Sequence, residues 1–371
     1  MHSRRKHFDK LLALLIAVFV VGGALIFASA AFGLLARGVS GVTSAVFTHI
    51  VFGIGGGLVA LFVAYSIDYR TWRKLAPYLY VAAICATLLV FIPHIGIEHG
   101  GGRRWVALFG FSFQPAEALK IGVIIMAAAY FASIGVRIRQ YAWGLGGFLL
   151  ILLAPALILL MQPDLGTLGV IGISSLALYV AAGARARDIA IVICIAIISL
   201  GALTLTRPYV RDRVVTFFLP SQSQQEEGYQ IKQSLIAIGS GGIIGRGFGQ
   251  GVQKFTYLPE AMGDSIFAVA GEELGFAGAL GIVIAYLVFA LRGLALAGRA
   301  PEQFGALLAV GIATYLASEA FINIAAMVGA APLTGIPLTF VSQGGSAMLV
   351  ALGSAGILLN ISRYGNARRS V

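Results

Sequence analysis

The chain has 371 residues, of which 59% are hydrophobic and only 11% are charged. A soluble domain usually carries about 25% charged residues, so this chain lacks the polar surface to face water on every side. The composition therefore excludes an ordinary soluble protein and indicates an integral membrane protein. Cys85 and Cys194 each lie inside an apolar run and imply no disulfide framework.

Ten apolar segments approach the length of about 20 residues that a helix needs to cross a bilayer. The first follows four basic residues and is too long for a cleavable signal peptide, so we interpret it as an uncleaved span. We predict an all-α, polytopic membrane protein with about ten helices, forming a single membrane domain over residues 1–371. The predicted spans are 11–35, 46–67, 78–95, 114–134, 144–161, 166–184, 187–206, 264–291, 303–329 and 341–361.

The basic residues predict the orientation of these spans. One set of short loops, which includes the two ends of the chain, holds 16 of the 26 Lys and Arg residues, and the opposite set holds 9. Lys and Arg in short loops mark the cytoplasmic side, so we expect both termini there. The net charge of +11 then sets topology, with anionic lipid headgroups rather than nucleic acid as its partner. The long loop 207–263, between spans seven and eight, faces outward.

The fourth predicted span contains two ionisable residues, Glu117 and Lys120. Such residues within a span are costly and mark functional sites. Three positions apart, they share one helix face and can pair. Two interpretations stay open: a structural ion pair, or a cation directed at an anionic group of a substrate.

Two further acidic residues lie in or beside spans. Asp164 precedes the sixth span, where an aspartate commonly caps a helix, and we favour that interpretation over substrate binding. Glu319 lies within the ninth span and must face the protein interior or a cavity. The sequence does not identify its partner.

The outer loop 207–263 has distinct parts. Residues 207–219 mix arginines with apolar residues, as in an interfacial helix. The glycine-rich stretch 239–251 resembles a phosphate-binding loop, but no strand precedes it, so a compact turn-rich loop is favoured.

The end of this loop brings Lys254, Glu260 and Asp264 close together in sequence. Carboxylates one helical turn apart can cap a helix, bind a divalent cation or act as a base. Glu272 and Glu273 follow in the same apolar stretch and are candidates too.

Several motifs resemble those of the shape, elongation, division and sporulation (SEDS) family. They occur in order over about residues 100–362, while residues 1–95 agree only in topology. The residues of the motifs are more similar to those of the division-associated branch than to those of the elongation branch. The matching segments are Gly102–Trp105, Phe113–Lys120, Gln162–Thr167, Gln233–Gly242, Gln253–Gly275, Asn323–Ile324, Pro332–Pro337 and Ser342–Ser346.

The resemblance implies a peptidoglycan glycosyltransferase that polymerises lipid II on a lipid-linked glycan strand. It also implies a class B penicillin-binding protein as partner, other division or elongation proteins, a divalent cation (Mg or Mn) and a multi-pass location in the bacterial cytoplasmic membrane. The family's essential aspartate matches Asp264. The residues expected to bind substrate are Arg104, Glu117, Lys120, Asp164, Lys254 and Glu260.

The chain departs from the family pattern around this aspartate. Met262 and Gly263 replace the usual His-Thr before it, and Ser265 replaces an aromatic residue after it. Elsewhere, Ala116 and Gln343 replace a serine and a tyrosine. These changes put the detailed mechanism in question more than the family.

We hypothesise that Asp264 is the general base of polymerisation. One alternative is a flippase that moves lipid II between leaflets along a path of intramembrane charges. Another is a scaffold without enzymatic activity that docks a penicillin-binding protein.

Overall fold

The computed structural model describes residues 8–99, 102–108, 111–218 and 226–365. Arg4, Arg5, Lys6, Arg368 and Arg369, which contribute to the predicted orientation, lie outside these ranges, as does the segment 219–225 of the outer loop. In the described part of the chain, eight helices are long and apolar enough to cross a membrane. Leu145–Met161 and Leu165–Ala181 are shorter apolar helices at the positions of two further predicted spans. The all-α polytopic class is confirmed, while the count of ten spans and the side of the termini stay predictions.

The helices follow the hydrophobic pattern closely. The predicted interfacial helix, α9, is present, and the helices α2 and α3 are joined by a π-helical segment, His49–Gly56, into one continuous rod. The bounds are α1 Lys10–Ala36, α2 Val42–Thr48, α3 Gly57–Ser66, α4 Tyr69–Leu88, α5 Pro115–Ile134, α6 Leu145–Met161, α7 Leu165–Ala181, α8 Ala186–Thr206, α9 Pro208–Phe218, α10 Glu226–Ser240, α11 Gln253–Thr256, α12 Ile266–Ala297, α13 Gln303–Met327 and α14 Gly345–Gly365.

The third predicted span starts too late. The helix α4 begins at Tyr69, nine residues before the predicted start, because Asp68 caps it by accepting a hydrogen bond from the backbone N–H of Arg70. An aspartate at the N-cap satisfies one of the free amide groups of the first turn. The basic residues assigned to a loop therefore lie on the first turns of the helix.

The helix α13 occupies the centre of the bundle. It packs against α5, α7, α12 and α14, and buried residues surround its whole circumference. A helix that is apolar on every side belongs in a core. By contrast, α8 packs mainly against α7 and α9, and its apolar side chains are largely exposed.

A small antiparallel sheet lies between α4 and α5, where the sequence predicted only a loop. It consists of β1 Gly96–His99, β2 Gly102–Leu108 and β3 Phe111–Phe113, in the order β1-β2-β3. Val106 in the middle strand pairs with Gly96 on one side and Phe113 on the other. The sheet holds Arg104 over the bundle at the end where α5 begins.

The helix α12 is broken near its start. Gly275 has φ 66° and ψ −169°, which a helix cannot continue through. The glycine-rich loop packs on this break: Arg246 and Gly247 donate backbone hydrogen bonds to the carbonyls of Glu272 and Glu273. A Cβ at Gly245 would lie 2.1 Å from the carbonyl oxygen of Glu273, so only glycine fits. The interpretation of this stretch as a compact turn-rich loop is confirmed.

Candidate active site

Asp264 lies in the turn between α11 and α12, and the backbone around it is anchored from several directions. The Asn323 side chain, on α13, donates from Nδ2 to the Asp264 carbonyl at 2.8 Å. It also donates to the Ile336 carbonyl at 2.8 Å. Asn323 therefore ties the aspartate to the loop that follows α13.

The residues that replace the usual neighbours of the aspartate take part in the same anchoring. The Met262 carbonyl accepts from the backbone N–H of Gln343 at 2.7 Å. The Gly263 carbonyl accepts from the Ser342 hydroxyl at 2.8 Å. The Ser265 hydroxyl accepts from Gln230 Nε2, on α10, at 2.9 Å. Four consecutive residues, 262–265, are thus held by other elements, which fixes the position from which Asp264 projects.

The environment of Asp264 makes it a better base than an ordinary aspartate. Its pKa is raised to about 6: burial contributes most and the negative charge of Glu260 adds to it, while the positive charges of Arg213 and Arg104 partly offset the rise. The carboxyl group is therefore mostly ionised at neutral pH, as a base must be. A pKa near the working pH also favours proton transfer in both directions.

A small polar cavity lies beside the aspartate. Four of the predicted site residues line it, together with Glu319 and Gly335: Arg104, Glu117, Lys120 and Asp164. Its volume of about 20 Å³ has room for roughly one water molecule. A Cβ on Gly335 would lie 3.6 Å from Asp264 Oδ2, so the carboxylate lies against a residue that lines this cavity.

Lys120 is buried between two carboxylates. Its Nζ lies 2.8 Å from Glu117 Oε2 and 2.5 Å from Glu319 Oε1. The structure thus identifies the partner of Glu319, and the interpretation of Glu117 and Lys120 as an ion pair is confirmed. Because Lys120 also lines the cavity, it can still face a ligand.

Arg104 and Asp164 meet at the turn between α6 and α7. Asp164 accepts from the backbone N–H of Thr167 at 3.1 Å and from its hydroxyl at 2.9 Å, which confirms the helix cap. Arg104 donates to the carbonyls of Gln162 and Pro163. These bonds join the sheet to the turn and hold the guanidinium group at the rim of the cavity.

Lys254 lies in a different cluster. It is fully buried, and its Nζ donates to Glu273 Oε1 at 2.5 Å, to the Ser29 hydroxyl at 2.6 Å and to the Gly249 carbonyl at 3.0 Å. These three contacts use all three N–H groups of the ammonium. Glu272 accepts from the backbone of Val252, at the other end of the same loop.

Arg213 is a site residue that the sequence analysis missed. It lies on α9, and its charge lowers the pKa of Asp264. The sequence placed it correctly on an interfacial helix, but the fold alone brings that helix over the turn that contains Asp264. Glu260, exposed and with φ 47°, lies on the same turn as the aspartate.

Comparison with known proteins identifies the family. The family model of the FtsW, RodA and SpoVE cell cycle proteins matches residues 5–367. The protein named probable peptidoglycan glycosyltransferase FtsW of Geobacter sulfurreducens is 40% identical over 309 residues, 83% of this chain and 82% of that protein. Stage V sporulation protein E of Bacillus subtilis is 38% identical over 310 residues, 84% of this chain and 85% of that protein.

Solved structures agree with these matches. A chain from a peptidoglycan synthase complex, studied for its structural coordination of polymerization and crosslinking, has a TM-score of 0.80 at 25% identity and covers 97% of this chain and 99% of its own. The rod shape determining protein RodA of Thermus thermophilus has a TM-score of 0.70 at 26% identity, covering 96% and 97%. The chain therefore belongs to the family of FtsW, RodA and SpoVE cell cycle proteins and is a multi-pass membrane protein.

Proposed function

We propose that the chain is a peptidoglycan glycosyltransferase that polymerises lipid II into glycan strands during cell division or growth, at the outer face of the cytoplasmic membrane. The observation that carries this proposal is the placement of Asp264, firmly anchored and with its pKa raised to about 6, beside a cavity lined by Arg104 and Lys120. The names of the similar proteins support the same activity.

In the proposed reaction, Asp264 takes the proton from the sugar 4-hydroxyl of the incoming lipid II. The freed oxygen attacks the anomeric carbon at the end of the growing strand and forms the glycosidic bond. The bond between that carbon and the pyrophosphate breaks, and the lipid-linked pyrophosphate leaves with the electron pair. Because this leaving group is already good, a second carboxyl group acting as an acid is not required, unlike the pair used in glycoside hydrolysis.

The cations around the aspartate suit the negative charge that develops on the pyrophosphate. Arg104 and Arg213 both act electrostatically on Asp264, so they lie near the reacting atoms. Fixed positive groups placed where charge develops are a large source of rate enhancement. Lys120 shares its charge with two glutamates, so we assign the larger part of this role to the arginines and a lesser part to Lys120.

A divalent cation fits the residues present. In the described part of the chain no cluster of three His, Cys, Asp or Glu side chains could hold a metal alone. Mg²⁺ nevertheless binds through one or two carboxylates together with substrate phosphates and water. Glu260, exposed beside Asp264, would supply such a carboxylate, and the bound cation would neutralise part of the pyrophosphate charge.

The partner in this proposal is a class B penicillin-binding protein, which crosslinks the strands that this chain makes. The structural similarity to a chain of a peptidoglycan synthase complex supports such an assembly. Both activities would then lie on the outer face, where Asp264 and the outer loop lie in the predicted orientation.

The test is polymerisation of fluorescent lipid II by the purified protein, with and without the penicillin-binding protein, in the presence of Mg²⁺ or Mn²⁺. We expect Asp264→Asn to lower the rate by about 10²–10⁴-fold, the usual contribution of a general base. Asp212→Asn, the same change on α9, serves as the matched control and should leave the rate close to wild type. Products are resolved on a gel.

Three outcomes separate the hypotheses. Near-normal polymer from Asp264→Asn would remove the aspartate from the role of base. Movement of lipid II across vesicle membranes without chain growth would identify a flippase. Neither activity from a folded protein with a verified partner would indicate a scaffold.

A further inference from the structure

The end of the bundle opposite Asp264 carries an unusual group of cations. Two loops meet there, one between α5 and α6 and the other between α7 and α8. The helix α5 begins beside the active-site cavity and runs for 20 residues, about 30 Å, to reach this end. We call the group the arginine–aromatic patch; it comprises Arg137, Arg139, Arg185, Arg187, Tyr141 and Trp143, all exposed.

The patch is organised by contacts between guanidinium groups and aromatic rings. Arg187, at the start of α8, lies with Cζ 5.3 Å from the centre of the Tyr141 ring and so joins the two loops. Arg137 lies with Cζ 5.5 Å from the centre of the Trp143 ring. Tyr130 donates from its hydroxyl to the Trp143 carbonyl at 2.8 Å, which fixes the loop that carries both rings.

Other cations at the same end of the bundle are neutralised by carboxylates. Arg70 lies 2.7 Å from Glu302, and Arg292 lies 2.8 Å from Asp9. Among the described residues, no carboxylate forms an ion pair with any arginine of the patch. The nearest acidic residue in sequence, Asp188, is fully buried. The patch therefore presents four arginines that have no ion-pair partner among the described residues.

We propose that the arginine–aromatic patch binds the phosphate headgroup of an anionic phospholipid. Guanidinium groups match phosphate oxygens in a two-point geometry, and rings that also contact the guanidinium hold it in place. Tyrosine and tryptophan are enriched where hydrocarbon meets headgroups. Basic pockets between membrane helices commonly take anionic lipid heads.

The surroundings favour a lipid over free phosphate. Val136, immediately before Arg137, is 91% exposed, and such a side chain suits contact with acyl chains. The patch also lies at the ends of four apolar helices, α5 to α8, of which α5 and α8 are long enough to cross a membrane, so we expect it at the depth of the headgroups. A soluble anion would use the arginines alone and gain nothing from the apolar neighbours.

The experiment uses Trp143 as the reporter. Trp72 and Trp105, the other two tryptophans, are replaced by Phe, and the protein is reconstituted in phosphatidylcholine vesicles. Part of the lipid is brominated phosphatidylglycerol or, in a parallel series, brominated phosphatidylcholine. We expect brominated phosphatidylglycerol to quench Trp143 well beyond its mole fraction, whereas brominated phosphatidylcholine quenches in proportion to it.

Variants separate a specific site from general surface charge. Arg137→Gln with Arg187→Gln should lower the enrichment of phosphatidylglycerol at least about fivefold, the preference that one basic residue near an anionic surface provides. Arg73→Gln with Lys74→Gln removes the same charge from exposed residues at the same end of the bundle and should leave the enrichment nearly unchanged. Arg137→Lys with Arg187→Lys preserves charge and topology and should give an intermediate value, because lysine lacks the planar group.

The remaining outcomes overturn the proposal. Equal losses in the two Gln pairs would mean that bulk surface charge attracts the lipid. Displacement of the enrichment by soluble inorganic phosphate would assign the site to a free anion. Absence of enrichment in the parent protein would remove the site. None of these results depends on polymerisation, so they leave the proposed activity untouched.

Discussion

Two buried lysines near the end of the bundle that holds Asp264 look alike at first sight. Lys120 and Lys254 are each almost fully buried, and each lies 2.5 Å from a glutamate oxygen. They differ in whether the ammonium group is still available to a ligand. Lys254 donates all three N–H groups to Glu273, Ser29 and Gly249. Lys120 has ion-pair contacts with two glutamates and lines the cavity beside Asp264.

This difference distinguishes a structural cation from one that can bind a ligand. Removing Lys254 from its cluster to bind substrate would leave the buried Glu273 carboxylate without its cation, with only the Ser29 hydroxyl and the Gly249 N–H as donors, which is strongly unfavourable. Its contacts instead fasten the glycine-rich loop and the break of α12 to α1. The predicted substrate-binding role fits Lys120 better than Lys254, although both lysines lie in motifs of the family and were assigned to substrate.

The largest expected effect comes from removing each lysine alone. Lys254→Met or Lys120→Met leaves a buried carboxylate without its cation and should destabilise the protein by about 3–5 kcal/mol. Neutralising the partners should restore most of the stability, with Glu273→Gln in the first case and Glu117→Gln plus Glu319→Gln in the second. Thermal unfolding in detergent measures both losses and both recoveries.

Activity then distinguishes the two clusters. The Lys254→Met, Glu273→Gln protein should polymerise lipid II at close to the wild-type rate once folded. The Lys120 variant with both glutamines should lose about 10²-fold, because a charged group at the site is gone. An inactive but stable Lys254 variant would place that lysine in the site after all. A fully active Lys120 variant would make both lysines structural.

A second, smaller effect tests the anchoring of Asp264. Asn323→Leu leaves the Asp264 and Ile336 carbonyls without their donor and should cost about 1–3 kcal/mol of stability. In the protein that still folds, kcat should fall while KM changes little, because the base moves and the substrate contacts do not.

Asn360 provides the matched control. It is equally buried, donates to the Tyr65 carbonyl at 2.6 Å and accepts from the backbone N–H of Tyr69, far from Asp264. Asn360→Leu should lower the melting temperature in a similar way without lowering kcat per folded molecule. If both substitutions reduce kcat alike, Asn323 has no special influence on the aspartate.

The spans were predictable because hydrophobic length is a local property of the sequence. Contacts between distant segments were not. Glu319 pairs with a lysine 199 positions away, and no pattern along either helix indicates the other. The three-stranded sheet was missed because its strands are only three to seven residues long and are recognisable through their pairing.

The same contrast between local sequence patterns and long-range contacts applies to the candidate site. Asp264, Arg104 and Lys120 could be selected from motif resemblance, and the fold brings them together. Arg213 was recognised only as part of an interfacial helix, because the path of the outer loop decides what that helix covers. Lys254 was assigned to substrate because a sequence does not show that all its donors are already used.

The smallest expected effect is a shift in the pH dependence of the polymerisation rate. It tests whether charges beside Asp264 influence that residue while charges in the Lys254 region do not. In the proposed mechanism Asp264 is the base, and its pKa is about 6, so the rate should fall as the pH drops below that value. Glu260→Gln removes a charge that raises this pKa, so the acidic limb should move down; Arg213→Gln removes one that lowers it, so the limb should move up. We expect shifts of about half a pH unit, less than the roughly 1–3 pKa units of a close ion pair.

Arg246→Gln is the matched control. Arg246 lies beside Glu272 in the Lys254 region, and its substitution should leave the acidic limb in place. An equal shift of the acidic limb in Arg246→Gln would mean that Asp264 responds to the summed charge of this end of the protein. The distinction between the two regions would then be lost.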